Sequence, residues 1–200
     1  MLVLLAAIVA QAAPPSATLP SPSCRYDKAA MLALDERSFD QDMAGGWRAL
    51  NNVGCDAAAA DAIRDWRAAH PQSSSIFLLN WHEGQMRANV GQTAEAIALF
   101  EASRKSIEQD AGFGWNLYVD GTIAFLQRDA VAFEAARAKL AALPRPAKFN
   151  PVGPNGKPLE IRWPLNLNVL EGFQRCWWQP YKQAYSVCAT PMSKVEAPTK

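Results

Sequence analysis

Three similar stretches recur at a fixed distance along this chain, and the spacing restricts its fold more than any other feature. Gly54, Gly91 and Arg128 lie 37 residues apart, and each opens an apolar run: GCDAAAADAIRDWRAAHP, GQTAEAIALFEASRKS and RDAVAFEAARAKLAALP. A segment with helical periodicity precedes each run. A period of a few tens of residues is typical of stacked helix pairs. The spacing therefore predicts three helix–turn–helix units and a mainly α-helical fold.

The apolar residues inside each unit follow the helical period. The first helices are predicted in FDQDMAGGWRALNN, IFLLNWHEGQMRANV and WNLYVDGTIAFLQ, and their partners begin at Asp56, Thr93 and Asp129. Residues 26–36 predict one further helix before the first unit. Pro144 and Pro146 end the last partner helix, because proline disfavours a helical residue before it. These limits give a helical repeat domain over residues 24–144.

Residues 145–190 differ in composition and predict an irregular, aromatic C-terminal cap. The stretch Gly153-Pro154-Asn155-Gly156 resembles a hairpin turn, and the apolar residues of LEIRW and LNLNV alternate with polar ones. This pattern predicts a short β-hairpin or an extended arm. Pro180 favours the start of a short helix after it. The Trp and Tyr side chains of this cap form either its packed core or a binding surface; they are Trp163, Trp177, Trp178, Tyr181 and Tyr185.

The N-terminus has the features of an export signal. An apolar run over residues 2–10 is followed by Ala10-Gln11-Ala12, the small-x-small pattern that precedes signal peptidase cleavage. The run is shorter than the roughly 20 residues of a membrane span. Residues 1–12 are therefore predicted to be a signal peptide, 13–23 a Pro/Ser-rich linker, and 191–200 a disordered tail. We expect a periplasmic or secreted protein without an integral membrane span.

The four cysteines agree with export. An even number in an exported chain predicts disulfides, and four cysteines allow three pairings. We favour the local pairing of Cys24 with Cys55 and of Cys176 with Cys188, since it closes the two shortest loops. A reactive Cys55 thiol at a helix start is the alternative.

Composition and motifs narrow the possible functions. The formal net charge is +1, and the basic residues form no stripe, so we expect no nucleic-acid partner. Residues 1–130 carry a formal charge of −5 and residues 131–200 one of +6, which would suit salt-sensitive self-association. The two histidines, His70 and His82, have no metal-ligand spacing with cysteines or carboxylates. Phosphate-loop, dinucleotide and nucleophile-elbow motifs are absent. We therefore expect no catalytic residues, no metal and no cofactor.

The three units resemble the tetratricopeptide repeat family. In the second unit, Gly84 stands seven residues before the turn at Gly91, and Ala96 and Phe100 follow where that family places its packing residues. The first unit shares a turn glycine and a terminal proline, and the third has Gly121 before its turn. The resemblance covers about residues 40–143 and implies an array of α-α hairpins with an inner face formed by the first helix of each.

This resemblance selects candidate binding residues. Carrying the inner-face positions through the 37-residue period gives eight residues: Arg48, Asn51, Asn52, Trp81, Gln85, Asn89, Tyr118 and Thr122. Phe125 occupies a ninth position but is better explained as a packing residue. Amide, cationic and aromatic side chains suit an extended peptide held through its backbone. Family members that bind a C-terminal carboxylate place several Lys or Arg residues there, whereas this set contains only Arg48.

The sequence therefore predicts an exported protein-binding or scaffolding module that uses the inner face of a short helical array. The alternative is a small secreted enzyme or enzyme inhibitor that uses the C-terminal aromatic and basic segment. That alternative predicts a cleft shared by Arg162, Trp163, Arg175 and Trp178.

Overall fold

The computed structural model describes residues 24–153 and 155–191 of the 200-residue chain. The predicted signal peptide (1–12), the predicted linker (13–23) and all but the first residue of the predicted tail (191–200) lie outside the described residues. Within the described part the protein is mainly α-helical. No helix there combines the length and the apolar character that a bilayer span requires.

Ten α-helices and one π-helical turn make up the described fold. The π-helical turn spans Arg37–Gln41. The α-helices are α1 (Lys28–Leu32), α2 (Gly46–Asn52), α3 (Asp56–Ala69), α4 (Ile76–Asn89), α5 (Thr93–Ala102), α6 (Ile107–Asp110), α7 (Trp115–Gln127), α8 (Ala130–Ala141), α9 (Leu167–Arg175) and α10 (Tyr181–Ser186).

Helix α4 lies at the centre of the molecule, between two hydrophobic clusters. It packs against α3 on one side and against α5 and α10 on the others. Its Leu79 and Met86 belong to the N-terminal cluster, whereas Trp81 and Ala88 belong to the cluster that α5, α7, α8, α9 and α10 complete. A helix buried on all sides needs no single apolar stripe. This position explains why α4 carries both polar and apolar residues in its buried surface.

Three buried polar side chains of α4, those of Asn80, Glu83 and Arg87, are paired with partners on α3. Glu83 is ion-paired with Arg67 and, within α4, with Arg87 at 3.4 Å, and Arg87 also reaches Asp61 at 2.8 Å. Asn80 accepts a hydrogen bond from Arg67. Buried charges persist in proteins only when they are paired in this way. The α3–α4 contact is therefore polar at its edge and apolar at its centre.

The three positions of the 37-residue spacing share one turn conformation. Gly54, Gly91 and Arg128 have φ angles of 82°, 78° and 59°, all in the left-handed region. Around each of them, the amide of the next residue bonds to the carbonyl five residues before it, as in Cys55 to Leu50 (2.9 Å). This is the Schellman arrangement that ends a helix, and glycine favours it because it has no Cβ.

Arg128 occupies this strained position because its side chain holds the C-terminal segment. Its guanidinium donates hydrogen bonds to the carbonyls of Trp177 and Gln179, the second at 3.0 Å. The same group lies over the Phe125 ring, 4.4 Å from its centroid. These contacts offset the cost of a positive φ in a non-glycine residue.

The first unit differs from the predicted pattern. The segment FDQDMAGGWRALNN was expected to be one helix, but it contains the end of the π-helical turn, a break, and the short α2. Gly46 has a φ of +50°, and a Cβ there would lie 2.0 Å from the Phe39 carbonyl oxygen. The chain therefore folds back against the π-helical turn at this glycine, which interrupts the helix.

The C-terminal segment also differs from its prediction. Val152 and Pro158 form an isolated antiparallel bridge, but no strand is present among the described residues. The alternating apolar residues of 165–169 do not form a strand, because α9 begins at Leu167 and buries Val169, Leu170 and Phe173. A short apolar run fits a strand or a buried helix equally well. Here the segment packs as a helix against α7 and α8.

Both cysteine pairs favoured by the sequence lie at disulfide distance. Cys24 and Cys55 have Cα atoms 5.3 Å apart, and this pair ties the segment before α1 to the start of α3. Cys176 and Cys188 have Cα atoms 6.3 Å apart and bracket α10. Cys55 is therefore not a free thiol. The second pair closes the loop that carries α10, which holds both ends of this short helix near α9.

Candidate functional site

A polar pocket lies between α2, α4 and α10, with a volume of about 320 Å³. We call it the α2/α4/α10 pocket. It brings together five of the eight predicted binding residues, from helices that are far apart in sequence. Its lining is Trp47, Arg48, Asn51, Asn52, Gln85, Met86, Asn89, Tyr181, Lys182, Tyr185 and Ser186. The contribution of α10 was not foreseen, because nothing in the local pattern of residues 181–186 indicates which helix they pack against.

A buried carboxylate beside the pocket joins its three helices. Asp56, at the start of α3, is 4% exposed. One of its oxygens accepts hydrogen bonds from Asn51 (2.6 Å) and Asn89 (3.0 Å), and the other is 2.6 Å from the ammonium of Lys182. The N-terminal end of a helix also favours a negative charge. Asn52 donates to the Met43 carbonyl (3.0 Å), so three of the predicted binding amides are engaged within the protein.

Other donors of the pocket lack protein partners. Arg48 donates its Nε–H to the Asp40 carbonyl (2.8 Å), but its two terminal nitrogens bond to nothing in residues 24–153 and 155–191. Burial lowers the pKa of Arg48, and the nearby Asp40 carboxylate and Tyr185 only partly oppose this effect. Gln85 makes no hydrogen bond of normal geometry within the same ranges. The Arg48 terminal nitrogens and the Gln85 amide are therefore donors of the lining that remain available to an occupant.

The Tyr181 hydroxyl is the most unusual of these groups. Tyr181 is 4% exposed, and its hydroxyl is buried without a hydrogen-bond partner among the described residues. Burial, followed by the proximity of Tyr185, raises its pKa well above the ordinary value, although the nearby Gln85 amide acts in the opposite direction. The hydroxyl therefore keeps its proton and remains a donor.

Three predicted binding residues lie in the core instead of lining an open face. Trp81 is 3% exposed, Tyr118 is 2% exposed and Thr122 is fully buried. The Trp81 and Tyr118 rings pack with centroids 4.7 Å apart, and the Thr122 hydroxyl bonds to the Tyr118 carbonyl (2.9 Å). Phe125, expected to be a packing residue, is fully buried against Phe173. Trp81 and Tyr118 belong to the hydrophobic cluster that α5, α7, α8, α9 and α10 complete, so a binding partner cannot contact these side chains.

Sequence reasoning missed a buried contact between the Asp40 carboxylate and the His82 imidazole. His82 Nδ1 lies 2.7 Å from Oδ1 of Asp40, which is fully buried and also accepts a hydrogen bond from the Trp47 indole (2.8 Å). Burial alone would raise the pKa of Asp40, but hydrogen bonding and attraction to His82, with help from Trp47 and Arg48, hold it below its usual value. The pair spans 42 residues of sequence, so no local motif could reveal it.

The four residues of the predicted C-terminal cleft do not line one common cavity. Arg162 lines a groove of about 540 Å³ that Trp163, Arg175 and Trp178 do not line. Trp163 donates its indole N–H to the Leu143 carbonyl (2.8 Å), and Trp177 packs on Phe133. Trp178 is 82% exposed. The described residues also contain no group of three or more His, Cys, Asp or Glu side chains placed to hold a metal ion.

Replacing Lys182 by methionine should loosen α10. The variant keeps the length of the side chain but leaves Asp56 without its cation, at an expected cost of about 1–2 kcal/mol. Hydrogen exchange of the Tyr181–Ser186 amides should accelerate, while that of α7 and α8 stays unchanged. Lys139→Met, an exposed position on α8, is the matched control. Equal exchange in both variants would show that the Lys182–Asp56 pair does not hold α10.

Comparisons with known proteins do not place the chain in a family: no family model, curated protein or solved structure matches it.

Proposed function

We propose that this chain is an exported protein-binding module that contacts its partner through the α2/α4/α10 pocket and the exposed residues around it. The observation that carries the proposal is the convergence of Arg48 and Gln85 on one open cavity, where the two terminal nitrogens of Arg48 and the Gln85 amide have no partner among the described residues. Such groups suit the backbone carbonyls of a partner segment. Because Trp81, Tyr118 and Thr122 are buried, the contact is shorter than the full face implied by the resemblance.

The tetratricopeptide-like arrangement belongs to the same proposal. Three sequence-adjacent helix pairs, α2–α3, α4–α5 and α7–α8, pack together. Their turns share a left-handed residue at the same 37-residue interval. These observations support an array of three hairpins in which α9 and α10 cover the end and part of the inner face. Arrays of this kind need an atypical terminal element that covers the last repeat.

The proposed compartment is the periplasm or the exterior of the cell. Two disulfides are typical of proteins in oxidising compartments. The export signal proposed for residues 1–12 would deliver the chain there. Processing can be checked by sequencing the N-terminus of the mature protein, which should begin at Ala13.

Site-specific crosslinking tests the binding proposal. A photoreactive amino acid at position 52, an exposed residue of the pocket rim, should capture a partner in the native envelope fraction. The same group at position 138, exposed on α8, is the matched control. Gln85→Ala combined with Arg48→Ala should reduce capture from position 52 without changing the helical content.

Two results would contradict the proposal. The first is capture that is equal from positions 52 and 138, which would indicate random encounters. The second is full capture by the double variant, which would place the partner elsewhere. Trp81 is unsuitable for this test because its replacement would damage the core.

A further inference from the structure

The α2/α4/α10 pocket has hydrogen-bond donors without partners among the described residues, but no acidic side chain in its lining to accept from them. Arg48 and Gln85 present donors without protein partners in the described ranges, and no acidic side chain lines the cavity. Asp56, a buried carboxylate beside the lining, is already occupied by Asn51, Asn89 and Lys182. An occupant of this pocket must therefore supply acceptor atoms.

The Tyr181 hydroxyl is the independent sign of a ligand. It belongs to a side chain that lines the pocket and is more than nine-tenths buried, and it has no hydrogen-bond partner of normal geometry among the residues that the structure describes. Leaving a buried hydroxyl unpaired is unfavourable, and native proteins rarely do so without a reason. An acceptor atom of a bound molecule would pair it.

The charges of the pocket favour a monoanion. The Lys182 ammonium is ion-paired with Asp56, whereas the Arg48 guanidinium, the other cation of the described lining, forms no ion pair with a carboxylate of the described residues. This guanidinium lies 4.2 Å from the centroid of the Trp47 ring, which restrains its orientation. A planar guanidinium with two unused terminal nitrogens matches a carboxylate in bidentate fashion.

The apolar residues of the lining indicate what the rest of the ligand must be. Trp47, Met86 and Tyr185 supply apolar and aromatic surface next to the donors. A volume of about 320 Å³ lies at the lower end of the range for small-molecule sites. We propose that the α2/α4/α10 pocket binds a small carboxylic acid with an apolar body, anchored by Arg48 and by the Tyr181 hydroxyl. This inference goes beyond the proposed function, because it concerns a small molecule and needs no protein partner.

Benzoate and benzamide form a matched pair of probes for this proposal. They share shape and ring, but only benzoate carries a negative charge. We expect titration of the disulfide-bonded protein, followed by NMR or calorimetry, to show saturable binding of benzoate at least about 10-fold tighter than that of benzamide. Inorganic phosphate should bind more weakly than benzoate, since it lacks the apolar body.

Two variants test the anchoring groups separately. Arg48→Met should weaken benzoate binding about 10-fold or more and leave benzamide binding nearly unchanged. Tyr181→Phe removes only the unpaired hydroxyl, so the unliganded protein should be equally or more stable, while benzoate binding weakens about 3- to 10-fold. Arg64→Met, an exposed position on α3, is the control and should bind benzoate normally.

Equal affinity for benzoate and benzamide, the absence of saturable binding, or unchanged benzoate affinity in both Arg48→Met and Tyr181→Phe would overturn the proposal. Phosphate binding tighter than that of benzoate would also overturn it, in favour of a phosphate site. These outcomes are independent of crosslinking from position 52, so failure of the small-molecule site and failure of the partner surface can be told apart.

Discussion

Replacing Asp40 by alanine should lower the free energy of unfolding by about 3–5 kcal/mol, because it leaves several buried polar groups without their hydrogen-bond partner. The carboxylate is fully buried and joins the π-helical turn to α2 through the Trp47 indole and to α4 through His82. Its loss leaves the indole N–H without an acceptor and His82 Nδ1 without its hydrogen-bond partner. Chemical denaturation of the disulfide-bonded protein, followed by circular dichroism, measures the change.

Asp120→Ala provides the matched control for this variant. Asp120 is also ion-paired, with Arg104 at 2.8 Å, but its side chain is 45% exposed. An exposed pair contributes about 0–1 kcal/mol because water screens it and solvates each partner. Similar losses in the two variants would show that burial of Asp40 does not set its contribution.

The Asp40 pair should also shape the acid stability of the protein. The folded-state pKa of Asp40 lies below its value of 3.8 in an unfolded chain, so the folded state binds this proton less readily. The resulting stabilisation is present above about pH 4 and is lost as the pH falls through the folded-state pKa. The difference in unfolding free energy between the wild type and Asp40→Asn should therefore shrink below pH 4. A difference that stays constant from pH 7 to pH 3 would contradict this assignment.

Replacing Trp81 by alanine should be comparably destabilising, by about 3–5 kcal/mol. The indole is 3% exposed and packs against Phe100, Trp115 and Tyr118, with ring centroids 4.5, 5.0 and 4.7 Å away. Truncation removes buried apolar area and leaves a cavity at the contact of α4, α5 and α7. The midpoint of thermal or chemical unfolding should fall sharply.

Trp178→Ala tests the same substitution where the indole is 82% exposed. Little apolar area is lost there, so stability should stay within about 0.5 kcal/mol of the wild type. Near-wild-type stability of Trp81→Ala would mean that this indole does not pack in the core. It would then become a candidate for partner binding again.

The helices were predictable where the signal is local. The turns at Gly54 and Gly91 were located because glycine tolerates a positive φ, and the partner helices α3, α5 and α8 follow their apolar period. The start of α9 was missed because five residues with alternating polarity fit a strand equally well. The break before α2 was missed because it depends on the close approach of Gly46 to Phe39.

The candidate site was predictable only in part, for a related reason. Periodicity placed Arg48, Asn52 and Gln85 on one side of their helices, and the structure brings them together in one pocket. The same periodicity could not show that Trp81 is covered by its neighbours. It also could not show that α10 contributes Tyr181 and Lys182 to the pocket. The contacts of α10 with α4 and with Asp56 join residues that are far apart in the sequence.

By itself, the sequence determined the mainly helical class, the positions of three turns and the favoured cysteine pairs. Each of these depends on neighbouring residues or on a simple spacing. The tertiary structure alone decided which polar residues of α4 are buried, how Asp40 meets His82, and how α10 closes the pocket. These features depend on burial, ion pairing and packing between segments that are distant in sequence. Such segments come into contact only when the chain is folded.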